Sequence, residues 1–229
     1  MNSFASPQTL TALPFSLPQD DLYTRLFDAI LEQRIHAQSR FTEESLAQMF
    51  GARRSDIRGV LTRLSHQRII VLKPNHRPRV VSLDHEQTKQ TLHARRLTEI
   101  TLVQLACERR CRQDWKRLHS LIEKERLCTE QAPAIRLSGD FHLLLAEMAG
   151  NAPLAHFLDS LVPLTSLAIA QCAIREEKYC DWQMHEEILD AIERGDALDA
   201  QMLLTRHLDI LEELLLNSTS LNGQNRIAG

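Results

Sequence analysis

Apolar residues recur every three or four positions along most of this chain, and the breaks in that rhythm mark its organisation. Leu22, Leu26 and Ile30 follow Asp20 and Asp21 at a spacing of four, which predicts a helix over 20–37 with acids in its N-terminal turn. Thr42 is an N-cap residue, Glu43 and Glu44 suit a first turn, and Leu46, Met49 and Phe50 form a stripe that Gly51 terminates. A third helix over 54–66 turns Ile57, Val60, Leu61 and Leu64 inward. Two short helices joined by a tight turn containing glycine make a helix-turn-helix. The rhythm then changes. Residues 68–73 are rich in β-branched types, 74–78 hold two prolines and an asparagine, and 79–82 again favour a strand. This hairpin completes a winged helix-turn-helix.

From Asp84 the periodicity is helical to the end, with helices expected near 84–112, 114–130, 133–149, 153–171, 181–194 and 197–217. Pro133, Gly150-Asn151, Pro153 and Gly195-Asp196 punctuate them. Loops are short, so this half reads as an antiparallel all-helical bundle. The fold class is therefore mainly α. The expected division is a flexible tail over 1–19, a DNA-binding unit over 20–82, a helical effector-binding and dimerisation unit over 83–217, and a frayed end over 218–229.

Composition adds little except through charge. A content of 43% hydrophobic and 25% charged residues is ordinary for a globular protein. No run of about 18 apolar residues stands out, and the N-terminus lacks the basic and apolar regions of a signal peptide, so a cytoplasmic protein without a membrane span is expected. Cys107, Cys111, Cys128, Cys172 and Cys180 form no CxxC pair and suit a reducing compartment. The formal net charge of −3 conceals a polarity. Between 52 and 82, Arg53, Arg54, Arg58, Arg63, Arg68, Lys73, Arg77 and Arg79 face a single acid, Asp56. That block covers the third helix and the wing, the elements such a module presents to double-stranded DNA.

Residues 41–64 resemble the GntR family of bacterial regulators, matching at Glu44, Leu46, Ala47, Gly51, Arg54, Ile57, Arg58, Leu61 and Leu64. The helical half is similar to the ligand-binding FCD domain of the FadR-type subfamily. Phe141-His142 with Ala149-Gly150-Asn151, His185 through Ile192 with Gly195-Asp196, and Arg206-His207-Leu208 carry that likeness; Arg95 and Glu99 fit in part, with Thr98 where leucine is usual. The resemblance implies a homodimeric repressor or activator, not an enzyme, that reads a palindromic operator and answers to a small metabolite, often a carboxylate.

Arginine's planar fork bridges guanine O6 and N7, so Arg54 and Arg58, four apart on one helical face, are the candidate base and phosphate contacts. A salt bridge to Glu43 or Glu44 is the alternative for both. Ser55 lies beside them, and Arg53, Arg77 and Arg79 suit phosphate contacts that position without reading. Arg53, Asp56, Gly59 and Arg77 depart from the family's Ser, Pro, Glu and wing-tip Gly, which implies an altered operator preference.

In the bundle, His142, His185 and His207 lie on three expected helices, from which neutral imidazoles can converge on a metal. The resemblance implies a Zn or Ni site of these three with an Asp one turn before the first, where this chain has Ser138. Asp140, two residues before His142, lies about 200° around the helix and points elsewhere. The set is thus incomplete, with a position for water or a carboxylate. The other reading is a metal-free pocket whose histidines bond an effector directly. Arg95 suits an effector carboxylate or a surface pair with Glu99; Ser138 and Asn151 complete the effector candidates. A DNA-binding protein with a decayed effector site, and a metal-dependent helical-bundle enzyme with a DNA-binding accessory, are the remaining alternatives.

Overall fold

A computed structural model describes residues 19–109, 112–172 and 182–224, with side chains described from 21 to 216 of these. The expected tail over 1–19 lies almost wholly outside the described residues, as do residues 225–229 of the expected frayed end, Cys111 and Cys180. The elements run α1 (Gln19–Leu31), α2 (Glu43–Phe50), α3 (Arg54–His66), β1 (Ile70–Val71), β2 (Arg79–Val80), α4 (His85–Arg109), α5 (Arg112–Leu127), α6 (Gln131–Ala149), α7 (Ala152–Asp159), α8 (Val162–Gln171), α9 (Trp182–Arg194) and α10 (Ala197–Gln224).

Local chemistry builds the N-terminal part. The Thr42 hydroxyl accepts from Ser45 N–H at 3.1 Å, and Ser45 Oγ accepts from Thr42 N–H at 2.9 Å, a reciprocal cap that starts α2. Gly51 ends it at φ 62, a left-handed conformation glycine adopts without strain. α1 stops at Leu31, six residues before the expected end. Gln33 turns left-handed at φ 59, and Ile35 folds back to bury its side chain and bond Ala29 C=O at 3.1 Å. In the hairpin, Ile70 pairs with Val80 and Val71 with Arg79, and Val81 N–H adds a bond to Ile69 C=O at 2.9 Å.

The single helix expected over 153–171 is two. Pro163 has no N–H to bond the carbonyl of Asp159, and its ring crowds the preceding turn, so the ladder breaks at Ser160-Leu161 and Pro163 stands in the first turn of a new helix. By length and composition alone, Ala152–Gln171 is apolar enough to cross a bilayer. Here it is a broken pair whose second half, α8, is buried among α1, α4 and α6.

Two cores form. One holds α1–α3 and the hairpin but continues through Leu92, Ala132, Ile135, Leu164, Leu167 and Leu211, so the helical bundle closes over the base of the N-terminal part. The other lies between α4, α5, α6, α9 and α10 around Leu102, Phe141, Leu145, Ile188 and Leu204. α6 borders both and packs on α1, α4, α5, α7 and α8.

Candidate functional site

The basic face is exposed. Arg54 and Arg58 project from the first turns of α3, and both pair with Glu43 of α2: Arg54 Nε donates at 2.8 Å, and Arg58 donates through Nε at 2.9 Å and Nη2 at 2.8 Å. Hydrogen bonds from Arg58 and then Arg54 hold the Glu43 carboxyl down at about 2. The alternative foreseen for these arginines is therefore realised with Glu43. It aligns two guanidinium forks at the start of the helix, and because they are 61% and 62% exposed, a phosphate or base edge can displace the carboxylate. Arg53 is the N-cap of α3 and lies 3.8 Å from Asp56, to which the Ser55 hydroxyl also donates at 3.3 Å. Arg77 and Arg79, on the hairpin, are exposed and make no ion pair among the described residues.

The three histidines meet. His142 on α6, His185 on α9 and His207 on α10 are buried, and one ring nitrogen of each lies within 4.8 Å of the other two. His142 Nε2 is 3.2 Å from His207 Nε2, and the His185 ring stacks on Phe141 at 4.1 Å. Two carboxylates stand behind the rings. His142 Nδ1 is 2.5 Å from Glu99 Oε2, and His185 Nδ1 is 2.8 Å from Glu125 Oε2. Glu99 also accepts from Arg95, which is buried rather than on the surface, so Arg95, Glu99 and His142 form a chain leading into the triad.

Electrostatics fixes the protonation of that chain. Burial alone would raise the Glu99 carboxyl, but Arg95 and His142 hold it at about 2. Burial, reinforced by Arg95 and opposed by Glu99, keeps His142 well below the usual imidazole range. His142 is therefore neutral, with its Nδ1–H given to an ionised Glu99 and its Nε2 lone pair facing the triad.

The residues present fit a metal ion. Three buried imidazoles converge, two are backed by carboxylates in the manner of metal-ligating histidines, and His185 Nε2 is buried with no hydrogen-bond partner among the described residues. Ser138 is buried one turn before His142 on α6 and offers no charge. Asp140 turns away and binds Arg136 at 3.3 Å. Asn151 is the N-cap of α7, and its side chain accepts from Leu154 N–H at 3.3 Å.

Sequence reasoning missed Glu99 as the partner of His142, and it missed Glu125 altogether. The signal for Glu125 was present: with Leu118 and Ile122 it occupies the inward stripe of α5, where a carboxylate needs a partner.

Comparison with known proteins agrees with this architecture. Residues 90–210 match the FCD domain, just over half the chain. The Uxu operon regulator of Haemophilus influenzae is 24% identical over 186 residues, 73% of this chain and 70% of that protein. The HTH-type transcriptional regulator LutR of Bacillus subtilis is 26% identical over 195 residues, 75% of this chain and 89% of that one. Among solved structures, E. coli McbR/YncC superposes with a TM-score of 0.71 over 87% of this chain and 97% of that one at 18% identity. A GntR regulator from Rhodococcus sp. RHA1 gives 0.68, with the same coverage and identity. The Haemophilus and Bacillus relatives are regulators of transcription, not enzymes, and the chain belongs with them as a GntR-family transcriptional regulator with an FCD domain, of the FadR-type subfamily.

Proposed function

We propose that this regulator is a cytoplasmic homodimeric repressor that reads a palindromic operator and releases or tightens on it when a small carboxylate occupies the histidine triad. Residues 20–82 bind DNA in this reading, with Arg54 and Arg58 at base edges and Arg53, Ser55, Arg77 and Arg79 on the backbone. Residues 83–217 hold the effector and the dimer contact in this reading, with Ser138, Arg95 and Asn151 as the effector contacts. A Zn or Ni ion, bound by His142, His185 and His207, would supply the positive charge that attracts the carboxylate. Ser138, one turn before His142, adds no negative charge that would oppose it.

The observation that carries the reading is the placement of α6. One face presents Ser138 and His142 to the triad; the other presents Arg136, whose Nε donates to Asp28 of α1 at 2.7 Å. A shift of α6 on effector binding is therefore felt by the DNA-binding helices through a charged contact as well as the shared core.

The test is to select binding DNA from a random library, then follow fluorescence anisotropy with metal-free protein, with zinc, and with zinc plus each of a panel of small carboxylates. An affinity change of about 5–150-fold with one of them is the expected outcome. Ser138 favours a second reading, a DNA-binding protein whose effector site no longer responds, and an affinity unmoved by any addition would establish that reading instead.

A further inference from the structure

Between the hairpin and the bundle lies an open cavity of about 540 Å³, within the size range of sites that enclose small organic ligands. None of the three triad histidines lines it. Ile70, Val71 and Leu72 line it from the hairpin, and Phe157, Leu161 and Leu164 from either side of the α7–α8 break. Val71, Leu72 and Phe157 are between 40% and 46% exposed. Large apolar side chains exposed singly are ordinary, but three that converge on one concavity suit an apolar body.

Among the described residues, Arg68 is the only charged side chain lining this cavity. It is exposed, and its guanidinium makes no ion pair or hydrogen bond among those residues. The backbone at Arg68 turns left-handed at φ 59, a conformation glycine or asparagine adopts more readily, so the turn itself does not call for an arginine. Nor does Arg68 stand near the reading end of the DNA-binding unit. α3 is 13 residues long, about 20 Å of helix, and Arg68 follows its C-terminal end while Arg54 stands at its start. The neighbouring Gln67 donates through Nε2 to Asp159 of α7 at 3.1 Å and accepts from the Tyr23 hydroxyl of α1 at 2.8 Å. The cavity thus lies beside the bonds that join the two parts of the chain.

We propose that this cavity is a second ligand site, taking an amphipathic carboxylate. The apolar body lies between the hairpin and the α7–α8 break, and the carboxylate pairs with Arg68 at the rim. A ligand so placed touches the end of α3, the wing and the bundle at once, and holds the wing against the bundle. The apolar body separates this ligand class from the small carboxylate proposed for the triad, and no metal takes part.

The test uses the full chain with labelled valine, leucine and isoleucine methyl groups, in EDTA so that the triad holds no metal. Phenylbutyrate and naphthylacetate are the probes, each compared with its neutral amide. Saturable shifts are expected at the methyls of Val71, Leu72 and Leu161. Leu145 and Ile188, one turn from His142 and His185, should not move. Each carboxylate should bind about 3–10-fold more tightly than its amide, the gain of a charge-assisted hydrogen bond at a solvent-exposed rim. Arg68→Asn keeps the left-handed turn and removes the charge, so it should bind carboxylate and amide equally. Thr91→Phe fills the cavity from α4 and should abolish binding of both; Arg68→Asn, at an exposed position, decides the matter should Thr91→Phe not fold. Shifts at Leu145 and Ile188 instead, an undiminished carboxylate preference in Arg68→Asn, parental binding in folded Thr91→Phe, or no response to either probe at millimolar concentration would overturn the assignment.

Discussion

Removing Arg136 should loosen the DNA-binding helices from the sensing bundle and silence communication between them. Its guanidinium leaves α6 for α1, with Nε 2.7 Å and Nη2 3.3 Å from the two oxygens of Asp28 and Nη1 3.3 Å from Asp140. The Arg136 and Asp28 side chains are only 18% and 16% exposed, so the pair is neither a screened surface bridge nor a fully dry one. Exposed pairs contribute about 0.2–1 kcal/mol, whereas breaking a buried pair costs about 3–5 kcal/mol. Arg136→Met sits between: it strands Asp28 beside Asp140 and should cost about 2 kcal/mol in urea denaturation. A double-mutant cycle with Asp28→Asn should give a coupling of about 1–2 kcal/mol, because the fork meets both carboxylate oxygens. The same variant should retain DNA binding yet show a smaller response to zinc or effector. A coupling below about 0.3 kcal/mol, with the response intact, would show that this contact carries nothing between the two parts.

Further outcomes follow from the same contacts. Arg54→Ala should weaken selected DNA while barely changing low-salt binding to random DNA; equal loss on both would remove Arg54 as a base reader. Glu43→Gln should tighten DNA binding and steepen its salt dependence by releasing Arg54 and Arg58, and an unchanged salt slope would count against their presence at the interface. Because the Glu43 carboxyl lies at about 2, below its ordinary 4.5, its contribution to stability is present above about pH 4.5 and lost as pH falls towards 2, a loss acid titration of Glu43→Gln should not show. Tyr23 runs in the opposite sense. Burial lifts its hydroxyl from 10.0 to about 12 despite Arg63 over the ring and the bond to Gln67, so its contribution holds below pH 10 and disappears between there and 12. Absorbance at 295 nm should show one of the two tyrosines ionising late, and Tyr23→Phe should abolish that late step.

The helix-turn-helix was legible because its signals are local. Thr42 and Gly51 cap α2 within the segment they terminate, and the arginines of α3 follow the cap at a spacing that sets their face. The early end of α1 was not, since Gln33 takes a left-handed turn that residues other than glycine seldom adopt, and only the burial of Ile35 explains it. The break between α7 and α8 could have been read from Pro163, which the apolar run around it obscured. At the triad the histidines were visible and their support was not. Arg95 and Glu99 at i and i+4 look like a surface pair in sequence, and Glu125 looks solvated. What makes them part of the site is burial against His142 and His185, which are 43 and 60 residues away and reach them only through tertiary packing.

Elemental analysis of the full chain, purified without a histidine tag, tests the central claim most directly. Near-stoichiometric zinc or nickel, lost in His185→Ala together with thermal stability, is the predicted result. Protein that holds no metal, even after incubation with zinc, would contradict the account and leave the triad as a metal-free pocket.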